Sequence, residues 1–558
     1  MNRRPLLGIS KFWRLSVAIV FVGSLAVGVG CSDDEVTSGK GGENGSSNQN
    51  NQGDPNQGGN GGENNNQSPS NQNNQGDPNQ GSNNNNNTGP SCDNLECDLV
   101  DCPPGEGVTT LSGTVYGPSG DFPLPNATVY IPNSELEPVE SGVSCQRCDE
   151  MVSGDPLAQT DTNALGEFTL ENVPAGEEVP LVIQTGKWRR QIEVPVIDAC
   201  EDNTFDDPEV TRLPRNQDEG EIPRVAVATG QYDALQCLLY QIGLDEDEFS
   251  SDPNSDASIT ILKGTGNSAT SEFSPGFSDG GEFVDIRSWW DNLANLEDKD
   301  IVMYSCDNVS PLASPYNQPP QEAREALQDF ADQGGRVFLT DLQREFLESG
   351  TSDFQSVTGW SSQTLQGQLI AQIDTSFPEG QALREWLELV GGSDGTGQIE
   401  LFEIWNNMGD LNTDLGQRWI FSGQGNHYID FNTPVGSDED SQCGRVVYSD
   451  LHVTAGGGSS SSASFPDGCS TDGLTGQEQA LIYLFFDLSG CVVPECTPIS
   501  CDEVEDQCGV HSDGCGGSID CGNCDCRNVG ESCTSNGECC TSACAIDSGS
   551  DEGICIPQ

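Results

Sequence analysis

"GGRVFLTDLQREFL", residues 334–347, decides how the larger part of this chain folds. Gly334 and Gly335 end a helix, Arg336 to Thr340 form a short apolar run of buried-strand type, and Asp341 opens a turn into a new helix. In an open α/β sheet, ligands sit at the carboxyl ends of the strands, so this turn is where chemistry would be placed. The turn offers Thr340 and Asp341, with neither a Cys nor a Gly-x-Ser-x-Gly elbow.

Working outward, the same rhythm recurs. "RVAVATG" (224–230), "ASITILKG" (257–264) and "DIVMYSCD" (300–307) read as buried strands. "YDALQCLLYQIG" has helical spacing, and "PPQEAREALQDFADQGG" is a helix with Pro early and Gly-Gly at its end. A helix at "EGQALREWLELVGG", strands at "QRWIFSG" and "GRVVYSDLHV", and a helix in "LTGQEQALIYLFFDL" complete the region. Residues 220–495 are therefore expected to form an α/β domain with an open, mainly parallel sheet. On these residues the region resembles the class I glutamine amidotransferase-like fold, in its trehalose-utilisation-protein-like branch. The resemblance implies a Cys nucleophile near Thr340 and Asp341, and its activating His at His452. The imidazole is retained and the thiol is not, so a glutaminase mechanism lacks its nucleophile. What remains are Asp341, Asp450 and His452 as a candidate catalytic acid/base or metal group. Cys306 falls one strand early and is expected in a disulfide, with Cys237 as a partner. His427 reads as a strand-edge residue.

The chain has 558 residues and a formal net charge of −67, from 22 basic and 89 acidic side chains. Such a surface repels nucleic acid and anionic lipid headgroups, so no nucleic-acid partner is expected. Its 24 cysteines suit an oxidising compartment. A basic start, the apolar run "LSVAIVFVGSLAVGVG" and then Cys31 read as a secretory leader (1–31). The small residues before Cys31 resemble a bacterial lipobox. That implies an acylated Cys31 as mature N-terminus, a lipid bilayer as partner, and a surface-exposed outer-membrane lipoprotein; ordinary secretion is the alternative. Residues 32–91 are Asn-, Gly- and Gln-rich, repeat "SNQNNQGDPNQG" at 47–58 and 70–81, and read as a disordered tether.

Residues 92–215 carry period-two strands between Gly/Pro turns, as in "TTLSGTVYGPSGDFPLPNATVYIPN" and "TDTNALGEFTLENVPAGEEVPLVIQTG". This pattern resembles the carboxypeptidase regulatory-like β-sandwich, an accessory or binding module. "GKWRRQIEV" (186–194) is expected as a sandwich strand covered by its own long side chains. Cys92, Cys97, Cys102, Cys145, Cys148 and Cys200 are read as disulfide partners rather than a metal set, since no His lies near. "TRLPRNQDEGEIPR" joins the two domains.

The tail is a Cys-rich repeat (496–525) followed by a module at 526–558, both too poor in apolar residues to fold without staples. Cys526, Cys533, Cys539, Cys540, Cys544 and Cys555 resemble an inhibitor cystine knot. That resemblance implies pairing of first to fourth, second to fifth and third to sixth. Together the parts resemble multidomain surface lipoproteins of myxobacterial type. The expectation is a multidomain protein, β-sandwich then α/β sheet then small disulfide-rich modules, that binds a glycan or protein ligand or acts as a scaffold. No cofactor is expected. The rival is a surface hydrolase, with carbohydrate as the candidate substrate, working through Asp341 and His452.

Overall fold

The structure, a computed structural model, describes Cys92, residues 94–492 apart from short internal gaps (106, 146, 148–151, 279, 308–318, 362–364, 406, 454–463, 472), and five short strands of the tail. The leader, Cys31, the tether, Cys148 and the side chains of the tail cysteines lie outside the described residues.

The described chain is multidomain and strand-rich. Two small sheets come first. Strands β1 (Thr110–Thr114), β4 (Glu167–Glu171) and β7 (Asp202–Thr204) form one, in the order β4-β1-β7. Strands β2 (Thr128–Pro132), β3 (Pro156–Asp161), β5 (Gly176–Thr185) and β6 (Trp188–Ile197) form the other, in the order β3-β2-β5-β6. In β4 the burial alternates residue by residue, with Phe168 and Leu170 turned inward between exposed Glu and Thr, as the sequence pattern requires of a half-buried strand. Disulfides Cys92–Cys97 and Cys102–Cys200 tie the start of this region; the second closes 98 residues and fixes the segment before β1 to the β6–β7 turn.

An eleven-stranded sheet follows. Its strands are β8 (Val225–Ala228), β9 (Phe249–Ser250), β10 (Ile259–Lys263), β11 (Val284–Asp285), β12 (Ile301–Tyr304), β13 (Arg336–Thr340), β15 (Leu365–Ile373), β16 (Gln398–Trp405), β18 (Gln417–Ser422), β19 (Gly425–Thr433) and β20 (Gly444–Ser449). A separate pair is made by β14 (Thr358–Trp360) and β17 (Met408–Leu411). The order is β11-β10-β8-β12-β13-β20-β19-β18-β15-β16, with β9 beside β10. From β11 to β20 the pairing is parallel; from β20 onward it is antiparallel. The sheet is thus mixed, a parallel half extended by an antiparallel meander, where the sequence reading expected a mainly parallel one. Short connections return two of these strands antiparallel: two residues separate β18 from β19, and a short loop joins β19 to β20, while β15 reaches β16 through the helix Pro378–Leu389. The parallel strands β8, β12 and β13 are buried along their whole length, matching their unbroken apolar sequence.

The segment 211–224 is no free linker. Thr211, Arg212 and Leu213 are buried, and Glu219 accepts both Arg212 guanidinium nitrogens (2.7 and 2.8 Å) and the Arg215 amide (2.8 Å). One apolar core runs through the two small sheets and the eleven-stranded sheet, joining Phe122, Trp188, Trp386 and Phe486. Trp386 donates its indole N–H to Pro123 O (2.7 Å). Gly186 turns at φ +55° against the Ser489 carbonyl, where an added Cβ would stand 1.9 Å from that oxygen, so only glycine lets β5–β6 approach the last helix (Gly476–Ser489). That helix opens with a capping box, in which Thr475 and Glu478 exchange side-chain-to-backbone bonds. Among the described residues no helix is long and apolar enough to cross a membrane. In the tail, Val510–Ser512 pairs with Ser518–Asp520, and Ser532–Cys533, Cys544–Ile546 and Gly553–Cys555 form a three-stranded sheet.

Candidate functional site

Four neighbouring parallel strands, β8, β12, β13 and β20, deliver side chains to one carboxyl edge. The turn after β8 brings Asp233, the end of β12 brings Cys306, the turn after β13 brings Asp341, and the end of β20 brings Asp450 and His452. Two further groups arrive from the antiparallel half: His427 on β19, and Asn407 from the connection between β16 and β17.

Asp341 and His452 meet directly, and Asp450 is joined to Asp341 through Asn407. His452 Nε2 lies 3.3 Å from Asp341 Oδ2. Asn407 donates its amide N–H to Asp341 Oδ1 and to Asp450 Oδ1 (3.1 Å for the latter). Tyr448 donates its hydroxyl to the Asp341 carbonyl at 2.7 Å. Asp341 adopts φ +43°, an uncommon conformation for a residue other than glycine, forced by the tight passage from β13 into the following 3-10 turn (Asp341–Arg344). The site is closed: Asp341, Asp450 and His452 are 1 %, 0 % and 6 % exposed.

Three expectations need correction. Cys306 is a thiol and takes no part in a disulfide; Cys237 pairs instead with Cys469. The Cys306 Sγ donates to Asp341 Oδ2 at 3.3 Å, so the cysteine set aside as one strand early belongs to the centre. Strand β12 is the immediate neighbour of β13 in parallel register, Tyr304 beside Leu339, which brings the two strand ends together. His427 is not an edge residue. It is fully buried, with Nε2 2.8 Å from Ser422 Oγ and Nδ1 3.4 Å from Asp450 Oδ2. Of the remaining cysteines, Cys491 is disulfide-bonded. Cys145, read from sequence as a disulfide partner, carries a thiol here and sits beside the buried thiol of Cys443. Burial, then the hydrogen bond with Cys145, pushes Cys443 up to about 12.

Asp233 and Asn407 were invisible in the sequence. Asp233 accepts from Thr340 Oγ1 (2.7 Å) and from the Val453 amide (2.8 Å), binding the turn after β8 to those after β13 and β20. Burial raises the Asp233 carboxyl above its usual range, against the pull of His452. Burial likewise lifts Asp450 up to about 6, opposed by the bond and charge of His427. For His452 burial works downward, and the carboxylates of Asp341, Asp233 and Asp450 outweigh it, holding the imidazole at about 9. Such an edge can store protons or hold a cation. Its thiol, imidazole and carboxylate are also the parts of a nucleophilic relay, in a place closed to solvent.

No family model matches the chain, and no curated protein matches it. Among solved structures, a ThuA-like protein from Bacteroides uniformis aligns at 9 % identity over 47 % of this chain and 89 % of its own, with a TM-score of 0.25. A cytoplasmic protein from Salmonella typhimurium aligns at 9 % identity over 42 % of this chain and 89 % of its own, TM-score 0.24. A cohesin–X-dockerin complex from Acetivibrio cellulolyticus aligns at 15 % identity over 27 % of this chain and 79 % of its own, TM-score 0.14.

Proposed function

We propose that this chain is an extracytoplasmic binding or scaffold lipoprotein, anchored in the outer membrane through an acylated Cys31, and that its strand-end centre serves the fold rather than turnover. The observation that carries the reading is the closure of that centre: the carboxylates that would work on a substrate are occupied with protein partners, and the imidazole beside them is buried. The larger body is read as an amidotransferase-like domain of the trehalose-utilisation type that has lost its elbow thiol. The reading is supported by Asp341 at the turn after β13 and His452 after β20, the strand next to it. The first region is read as a carboxypeptidase regulatory-like sandwich, the tail as a cystine knot, and the whole as a surface lipoprotein of myxobacterial type.

A seat for a glycan or protein ligand is offered on the sandwich. A cavity of about 350 Å³ there is lined by Asn94, Asn133, Glu135, Leu136, Pro180 and Gln191, among others, and mixes amide, carboxylate and apolar groups.

A second reading, a hydrolase working through Asp341 and His452, is favoured by their 3.3 Å contact. One experiment separates the two. The intact protein is assayed against glycoside and ester panels beside Asp341→Asn and His452→Gln. The binding reading expects no turnover above the variants. Turnover in the wild type that both substitutions abolish overturns it. Labelled palmitate incorporated by the wild type and not by Cys31→Ser checks the anchor.

A further inference from the structure

We infer that Cys306, Asp341 and His452 form a binding site for one divalent cation of the zinc class. The argument starts from donor geometry. A tetrahedral cation with bonds of roughly 2.0–2.3 Å holds its ligand atoms about 3.3–3.8 Å apart. Cys306 Sγ and His452 Nε2 each lie 3.3 Å from Asp341 Oδ2, and all three atoms fall within 4.8 Å of one another. The three residues descend from three adjacent strand ends, so the backbone fixes their spacing. Sulfur, imidazole nitrogen and carboxylate oxygen together suit zinc over magnesium or calcium, which take oxygen alone.

An independent sign comes from His452. Its Nε2 is buried and has no aligned hydrogen-bond partner, although it faces the Asp341 carboxylate. A buried polar atom without a partner is costly, and it is the atom a cation would engage. The surrounding charge agrees. Asp233, Asp341 and Asp450 are all buried, and the only cationic side chains available to them in the described residues are the imidazoles of His427 and His452. Among the described residues no Lys or Arg is hydrogen-bonded or ion-paired to any of the three. A divalent ion would neutralise the surplus. The supporting layer a metal ligand needs is present as well: Asn407 holds Asp341 Oδ1, and Gln477 donates to the His452 carbonyl at 2.8 Å. Binding would displace the Cys306 thiol proton to solvent.

The test uses the full chain, stripped with a chelator and then titrated with Zn²⁺ and separately with Co²⁺. The expected result is one equivalent of Zn²⁺ retained through dialysis and a melting temperature raised by about 3–5 °C at saturating metal. The Co²⁺ form should show an intense near-ultraviolet thiolate-to-metal band. Cys306→Ser should lose that band, and His452→Ala should lower zinc affinity at least tenfold, while Cys443→Ser, which removes a buried thiol elsewhere, should keep both signals. Zinc held only by the acidic surface would leave no thiolate band and bind equally in Cys306→Ser; either result overturns the site. If the variants fail to fold, the band in the unsubstituted chain still decides. Turnover in the assay above would overturn the binding reading without touching this one.

Discussion

At the seam between the two small sheets and the eleven-stranded sheet, the Lys187 ammonium meets Asp300 Oδ1 at 2.6 Å with both side chains about 4 % exposed. Each has a second partner: Lys187 also donates to the Gly142 carbonyl, and Asp300 Oδ2 accepts the Arg224 amide. At the strand-end edge the burial is as deep, yet three carboxylates face two imidazoles, and His452 Nε2 meets Asp341 Oδ2 at 3.3 Å without the alignment of a hydrogen bond. The comparison separates two uses of buried charge. Matched charge specifies how parts dock; unmatched charge leaves room for something the protein alone does not supply. The largest predicted effect follows. Lys187→Met leaves Asp300 buried and unpaired, and should cost about 3–5 kcal/mol in urea unfolding of the intact chain. Lys187→Met with Asp300→Leu should recover most of it. A single variant as stable as wild type would break the comparison at the seam.

The apolar side of the same seam gives the next effect. Trp386→Phe removes the bond to Pro123 O and shrinks a ring packed edge-on at 6.2 Å from Phe122. A loss of about 1–3 kcal/mol is expected by the same measurement. At the strand-end edge the expectation reverses. In chelator-treated protein Asp341→Asn removes one carboxylate from a surplus while keeping a residue that tolerates φ +43°, so stability should change by less than about 1 kcal/mol and in either direction. A loss as large as that of Lys187→Met would mean the centre is matched after all.

How much of this was legible in advance depends on the distance over which each signal acts. The helix at Gln321–Asp332 and strand β13 were readable because apolar period and Gly-Gly termination are local. The meeting of Asp341 with His452 was expected from the resemblance to the amidotransferase-like fold, which implies a nucleophile turn beside a late-strand His. Cys306 was misplaced because strand order along the chain says nothing of lateral pairing: β12 precedes β13 in sequence and lies beside it in the sheet. Asp233 and Asn407 carry no local mark, since each gains its role from groups about a hundred or forty residues away. The antiparallel half was missed for a related reason. Alternating burial in β16, with Ile399 and Leu401 inward between exposed Gln398 and Glu400, is the mark of a strand with one solvated face, and it does not reveal direction.

The joining segment 211–224 gives a small effect with the clearest pH signature. Its Glu219 is held down at about 2, first by the Arg212 hydrogen bonds, against the opposing pull of burial. A carboxylate whose folded pKa lies below the ordinary value of 4.5 adds stability above that value and loses it as pH falls toward 2. Glu219 is partly open to solvent, so screening leaves about 1 kcal/mol at neutral pH. Glu219→Gln should therefore melt lower than wild type by one or a few degrees at pH 6, and the two curves should converge as pH drops from 4.5 to 2. Convergence has a physical reading: once protonated, the wild-type side chain offers Arg212 no more than the amide does. A gap that persists unchanged at pH 2 would assign the contribution to packing of the segment rather than to its charge, and the segment would then belong with Trp386 instead of with Lys187 and Asp300.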